Sequence, residues 1–423
     1  MKKLIAILFI ALFANQANGD ANIKMPKYFF TDAINKACKM KQPAPNFFDP
    51  PARELDLTIA ANYNWLEDLK HYSWVEDHAV TSNSLNVHFL ELTDRTEFIT
   101  TVLTNSIIDG SIETQAKKAI DLILIWSKAN VIMDSTSVEE ILNMRKIGTY
   151  SKCYNGKGNE EAVCHWHTAQ EAARYAGNIA IIANLARPYM DSTELRHVEM
   201  YLNTMYDKYI LPWYNHSGSG NPKMYHGYYQ MGHGAVSMLA YANWHNDKKI
   251  AEYTFKTTFQ NIDYKIWDEE GFIDNNSFRG VRGYWYHSLA LNNMLGMVAL
   301  AEQYNYPVEN KTIEKLTSAV NFLNQDSKEY LHFLEGLDKY KNKHGNLYTS
   351  HKGRELYIGN ASWKHENARH HIHQEAKYLE YLTNTYTNAS LPTDRLEYKI
   401  YKSKTKKELS DTMLGFNPTC ITR

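Results

Sequence analysis

Two guanidinium groups and a phenol lie close together in the stretch Phe272 to His287, which reads FIDNNSFRGVRGYWYH. Arg279, Arg282 and Tyr286 are spaced i, i+3 and i+7, so on a helix or at a helix entry they share one face. Paired guanidinium groups bind a carboxylate through forked hydrogen bonds, and their charge favours the ionised form of a neighbouring phenol. Such a group could bind a carboxylate, that of a sugar among others, and move a proton beside it. The plain alternative is a pair of surface arginines beside an ordinary packed tyrosine. A second stretch, Lys223 to Gln230, reads KMYHGYYQ, and His226, Gln230 and His233 follow at i, i+4 and i+7. On a helix this sets three polar groups on one otherwise apolar and aromatic face, where an imidazole is either a hydrogen-bonded core residue or a proton carrier. No carboxylate accompanies them, so no metal is expected there. The late cluster His365, His370, His371 and His373, with Glu366 and Glu375 nearby, contains an HxH pair but reads as a polar helix face. The basic run Lys402 to Lys407 reads as a solvated face or a tail.

Both stretches need a scaffold, and apolar periodicity is helical through most of the chain. Leu291, Met294, Leu295 and Val298 draw one apolar stripe at i, i+3, i+4 and i+7. Comparable patterns predict helices over Thr114 to Met133, Ser137 to Lys146, Thr168 to Leu185, Ser192 to Tyr209, Tyr225 to Trp244, Asp247 to Tyr264, Ile313 to Asn324 and Asn367 to Thr385. Asp191-Ser192-Thr193-Glu194 supplies cap-type residues before one stripe, and Asn305-Tyr306-Pro307 stops another. Two longer irregular stretches interrupt the series, Lys41 to Asn86 and Glu335 to Asn360. The first is rich in aromatic residues, including Phe47, Tyr63, Trp65 and Trp74, and is a candidate lid. Helices of this length, each with one apolar stripe and short links, pack as layered hairpins. No short solenoid-type repeat is present.

The chain of 423 residues is 44% apolar, enough for a large core. Met1 to Gly19 has two lysines, an apolar run from Leu4 to Ala14 and a polar end, the pattern of a secretory leader too short to span a bilayer. A periplasmic or secreted protein follows, with no membrane span. Lys and Arg total 46 against 47 Asp and Glu, which leaves no electrostatic footprint for nucleic acid. A polyanion must then be held by a local basic cluster. Four cysteines, an even number, suit disulfides in an exported protein: Cys153 with Cys164 is the preferred pair, and Cys38 with Cys420 would tie the ends together.

RGVRGYWYH resembles the RGxRALxYH motif of the alginate lyases that cleave polymannuronate, and FIDNNSFRG resembles the FLPNELxRG that precedes it there. Tyr225-His226-Gly227-Tyr228-Tyr229 falls where that family carries NHSYW, and weaker likeness runs from about Thr93 to about Tyr386. The resemblance implies an all-α protein, an incomplete (α/α) toroid of helical hairpins whose groove takes an acidic polysaccharide. It implies a catalytic domain over 93–390, preceded by the segment 20–92 with the lid and followed by a tail over 391–423. It implies His226 and Tyr286 in proton transfer, Arg279 neutralising the C5 carboxylate, and no cofactor. Tyr225, Tyr229, Gln230, Asn275, Arg282 and His287 are the candidate substrate contacts, and the protein is expected to be a monomer.

The chain departs from the family where Tyr225 replaces the asparagine before the histidine, and where Asn275-Asn276 replaces an Asn-Glu pair. Gln230 or Asn275 then has to complete the carboxylate clamp, and glucuronate becomes as suitable a substrate as mannuronate. Two other functions stay open. Asp268, Glu269 and Asp274 offer the carboxyl pair of a glycoside hydrolase, and the aromatic residues suit a catalytically silent glycan-binding protein of the envelope.

Overall fold

The computed structural model of the protein describes residues 23–26, single positions between 96 and 107, and 110–128, 166–216, 232–267, 271–273, 276–277 and 283–324. This part of the chain is all-α: among the described residues the only extended pairing is one isolated bridge between Ile266 and Ile273. Its helices are α1 (Ile112–Lys128), α2 (Trp166–Ala186), α3 (Ser192–Met205), α4 (Leu211–His216), α5 (Gly232–His245), α6 (Lys248–Lys265), α7 (Gly283–Gln303) and α8 (Asn310–Asn324). The helices predicted over Ser137 to Lys146 and Asn367 to Thr385, the lid, all four cysteines and the late histidine cluster lie outside the described residues. No described helix is long and apolar enough to cross a membrane.

Helix ends fall where side chains can satisfy the backbone. Asp191 caps α3 by accepting from Thr193 N and Glu194 N at 2.7 and 2.8 Å, while the Glu194 carboxylate accepts from Asp191 N at 2.7 Å. This reciprocal box satisfies donors that the first helical turn leaves free. Asp191→Ala is expected to destabilise the protein by about 0.5–2 kcal/mol, read as a lower urea midpoint, and Asp191→Asn by less. An asparagine with positive φ follows both helices, Asn246 at 53° directly after α5 and Asn305 at 54° two residues after the end of α7. In each case the next residue's N–H reaches back to the carbonyl five residues earlier, Asp247 N to Ala242 O and Tyr306 N to Ala301 O, both at 2.8 Å. Asp247 then starts the next helix, accepting from Lys249 N and Ile250 N at 2.9 and 3.1 Å.

One sequence expectation is modified. The stripe from Ser192 to Tyr209 predicts one helix, whereas α3 passes into a wide π turn, Tyr206–Ile210, before α4. Pro212 supplies the reason: it has no N–H, and in a regular helix its ring would clash with the carbonyl of Lys208.

Packing follows from small residues. Helix α2 is alanine-rich and lies most extensively against α5. A Cβ added at Gly177 would overlap the Ser237 side chain, so the two backbones approach closely at that point. Asn184 donates to Ala180 O and, across the interface, to Ala240 O at 2.8 Å. Farther along, Arg187 donates to Trp244 O and lies 4.7 Å over the Trp244 ring. These contacts advance together, 177 with 237, 184 with 240 and 187 with 244, so α2 and α5 run side by side in the same direction.

Each of these helices is paired with its successor in sequence. The Tyr175 and Tyr201 hydroxyls meet at 3.0 Å between α2 and α3, far from their connecting turn, which makes that pair an antiparallel hairpin. Burial raises both phenols above their ordinary pKa. Ile23 is buried in the same core, and its neighbours tie the chain ahead of the helices to α5 and α7 through Lys24 N to Tyr304 O (2.9 Å) and Asn243 Nδ2 to Pro26 O (2.8 Å).

Candidate functional site

The stretch that carries the two arginines leaves α6 through a tight reversal. Ile266 and Ile273 pair as an antiparallel bridge, Trp267 N donates to Phe272 O at 3.0 Å, and Gly271 N donates to Trp267 O at 3.1 Å. Gly271 has φ of +70°, which L side chains rarely adopt, and it lies directly on the backbone of α8 at Ser318 and Ala319. Asn276 N and Ser277 N then both donate to Ile273 O, at 3.1 and 2.9 Å, so the chain turns a second time before the arginines.

His287, in the second turn of α7, meets this turn from the other side. Its Nδ1 lies 2.8 Å from Ser277 Oγ and its Nε2 lies 2.9 Å from Ala319 O. A carbonyl only accepts, so Nε2 carries the proton. In the neutral ring Nδ1 is then the acceptor and Ser277 donates to it, while Ser277 Oγ accepts from Ile273 N at 2.8 Å. With the ring neutral, the chain of bonds runs in one direction from Ile273 through Ser277 and His287 to Ala319. His287 and Ser277 are both fully buried. Phe322 of α8 packs on both sides of this point, 5.1 Å from the His287 ring and 4.3 Å from Phe272.

Helix α8 is itself held in place. Lys315, almost fully buried, donates to the carbonyls of Asp263 and, at 3.1 Å, Ile266, at the C-terminal end of α6 where a cation is favoured. Thr312 donates to Asp263 Oδ1 at 2.8 Å. Lys315 is thus a structural cation.

The residues expected from sequence fall into three groups. Tyr225, His226, Tyr229, Gln230, Asn275, Arg279 and Arg282 lie outside the described residues, as do the carboxylates Asp268, Glu269 and Asp274. Tyr286 is the fourth residue of α7, with its side chain outside the described residues. His287, a candidate substrate contact, is placed with no exposed surface and both ring nitrogens bonded within the protein. A contact to sugar would require it to give up one of these bonds. What the described residues bring together is the two ends of the arginine stretch, Ser277 and His287.

Ser277, Gly271 and Ala319 were not singled out by sequence. Gly271 carried a readable signal, since a glycine after Asp268-Glu269-Glu270 marks a turn. A buried serine hydroxyl and a helix carbonyl carry none. Among the described residues no group of three or more His, Cys, Asp or Glu is placed to hold a metal ion.

No family model matches this chain, and no curated protein or solved structure matches it.

Proposed function

We propose that the protein is an exported polysaccharide lyase that cleaves a uronate-containing glycan by metal-independent β-elimination. The observation that carries this reading is the stretch Phe272 to His287, in which two arginines and a tyrosine lie between residues that are pinned to each other. The proton on C5 of a uronate is weakly acidic until the adjacent carboxylate is neutralised and the enolate-like charge is held. Arg279 supplies that charge, with Arg282, Tyr225, Tyr229, Gln230 and Asn275 around the sugar. A base removes H5, its electron pair forms the C4–C5 double bond, the C4–O4 bond breaks, and an acid protonates O4. Tyr286 is the acid. It also serves as the base when H5 and the leaving group lie on the same side, and His226 serves when they lie on opposite sides.

The arrangement of helices supports an incomplete (α/α) toroid. Such a fold stacks antiparallel hairpins with like helices parallel, and α2 lies parallel to α5 while α2 pairs antiparallel with α3. The aromatic stretch 41–86 would serve as the lid, and the leader over 1–19 directs the protein to the periplasm or beyond.

The test is a panel of polymannuronate, polyguluronate, glucuronan and hyaluronan, scored for unsaturated uronate ends by their ultraviolet absorbance. At least one polymer is expected to yield them. Reducing ends without that absorbance would identify a hydrolase, and tight binding without cleavage a glycan-binding protein.

A further inference from the structure

Helix α6 sends Ala251, Phe255, Phe259 and Ile262 into the core, and its opposite side faces solvent. That outer side carries aromatic rings. Tyr253 and Tyr264 are 43% and 59% exposed, whereas Tyr175, Tyr201, Tyr209, Tyr214 and Tyr304 are buried. The two exposed tyrosines are spaced i, i+11, which brings the second round to within about 20° of the first after three turns. At a rise of about 1.5 Å per residue their backbone positions lie about 16 Å apart, a span of several linked sugar rings. Gln260 is exposed between them. Lys249 and Lys256, four residues before Tyr253 and three after it, are exposed on the same side.

The carboxylates on α6 and at its start are turned to other tasks. Asp247 accepts from the backbone of the first turn, Asp263 accepts from Thr312 of α8, and Glu252 lies toward Tyr306, beyond the end of α7. Among the described residues neither Lys249 nor Lys256 makes an ion pair. Tyr253 is held in place, with its hydroxyl donating to Asn215 Oδ1 at 3.3 Å and its ring meeting the Tyr214 ring edge to face at 6.0 Å. A ring fixed in this way loses little freedom when a ligand stacks on it. A tyrosine offers an apolar face to the CH groups of a pyranose and a hydroxyl to its oxygens, and an ammonium beside it supplies a point charge for a carboxylate. The stripe stops at Tyr264, two residues short of the Ile266 to Ile273 bridge from which the arginine stretch sets out.

We propose that the outer face of α6 is a surface binding stripe for an acidic polysaccharide, with sugar rings stacked on Tyr253 and Tyr264 and carboxylates held by Lys249 and Lys256. The inference takes its glycan from the lyase reading above. The acidic character follows from charge: the stripe presents two cations and no carboxylate, on a chain whose net charge of −1 gives no general attraction for a polyanion.

The test is affinity electrophoresis of the purified protein through native gels containing polymannuronate, glucuronan or hyaluronan, with dextran as the neutral probe. Wild type is compared with Tyr264→Ala, with Tyr253→Ala and with the double variant Lys249→Gln/Lys256→Gln, and the thermal midpoint of each is recorded. At least one polyuronate is expected to retard the wild-type protein, and dextran is not. Tyr264→Ala weakens the binding about 3- to 10-fold. The lysine variant weakens it by a similar factor and flattens its dependence on salt. Both changes replace exposed side chains and should leave the midpoint close to wild type. Tyr253→Ala gives up the contact with Tyr214, so if its midpoint falls the other two variants decide. A polyuronate bound as tightly by the Tyr264 and lysine variants as by wild type overturns the stripe and leaves the lyase reading standing. Retardation by dextran equal to that by the polyuronates overturns the acidic ligand, and no retardation by any polyuronate overturns the stripe altogether. Unsaturated ends are scored separately on the same polymers, and their absence while the stripe binds overturns the lyase reading alone.

Discussion

Tyr286→Phe is expected to lower the formation of unsaturated ends by about 100- to 10,000-fold, the range that a positioned acid or base contributes. The substitution removes one oxygen and leaves the ring, so any packing made by the aromatic body is kept. Elimination asks for a proton at O4 as the C4–O4 bond breaks, because an alkoxide is a poor leaving group, and a phenylalanine has no proton to give. On a substrate with H5 and O4 on the same side, where the same phenol is also the base, the loss belongs at the upper end of that range. On one with the opposite arrangement His226 still removes H5, and the loss belongs at the lower end. Comparing the two kinds of polymer therefore reports the division of labour as well as the residue. The signature of a transition-state role is a drop in kcat with KM little changed. Turnover unchanged from wild type would remove Tyr286 from the mechanism, and with it the proposed use of the arginine stretch.

The helices are legible in the sequence, and the contacts between them are not. The 3.6-residue period placed helices at Thr168 to Leu185 and Asp247 to Tyr264, and α2 and α6 run from Trp166 to Ala186 and from Lys248 to Lys265. Helix α6 buries one stripe, Ala251, Phe255, Phe259 and Ile262 among it, and α2 is buried on nearly every side from Ala172 to Ala186, so in both the apolar pattern is local and readable. The cap at Asp191 and the stop at Asn305 were readable for the same reason, because each is set by a side chain and backbone within a few residues. The π turn at Tyr206 was not, because it depends on how Pro212 trades one backbone bond for another. At the candidate site the limits are sharper. Spacing could say only that Arg279, Arg282 and Tyr286 would share a face if the helix reached them, and resemblance could suggest roles. Neither could say that His287 spends both nitrogens on the protein, since its partners are a serine ten residues back and a carbonyl thirty-two residues ahead. Periodicity along one helix carries no information about a contact of that kind.

The dependence of the site on long-range contacts makes Gly271 the position where the smallest change should do the most harm to the fold. In Gly271→Ala the new methyl group would overlap the Ser318 carbonyl and come within 2.9 Å of Ala319 N. Helix α8 cannot retreat freely, because Lys315 grips the end of α6 and Ala319 O receives His287. The turn cannot retreat either without opening the Ile266 to Ile273 bridge. Alanine at a φ of +70° adds a conformational term of roughly 1–2 kcal/mol. Steric overpacking against a fixed neighbour adds about 1–3 kcal/mol. Together these reach about 2–5 kcal/mol, a large share of the roughly 5–15 kcal/mol that holds a typical domain. The thermal midpoint should fall by several degrees or more, on the order of 10 °C. Gly110 provides an internal control, since its φ is +84° and a Cβ there meets nothing within 4 Å. Gly110→Ala therefore carries the conformational term alone, and the difference between the two midpoints measures how tightly the turn before the arginines is seated on α8. Equal midpoints would mean that the turn is not seated there.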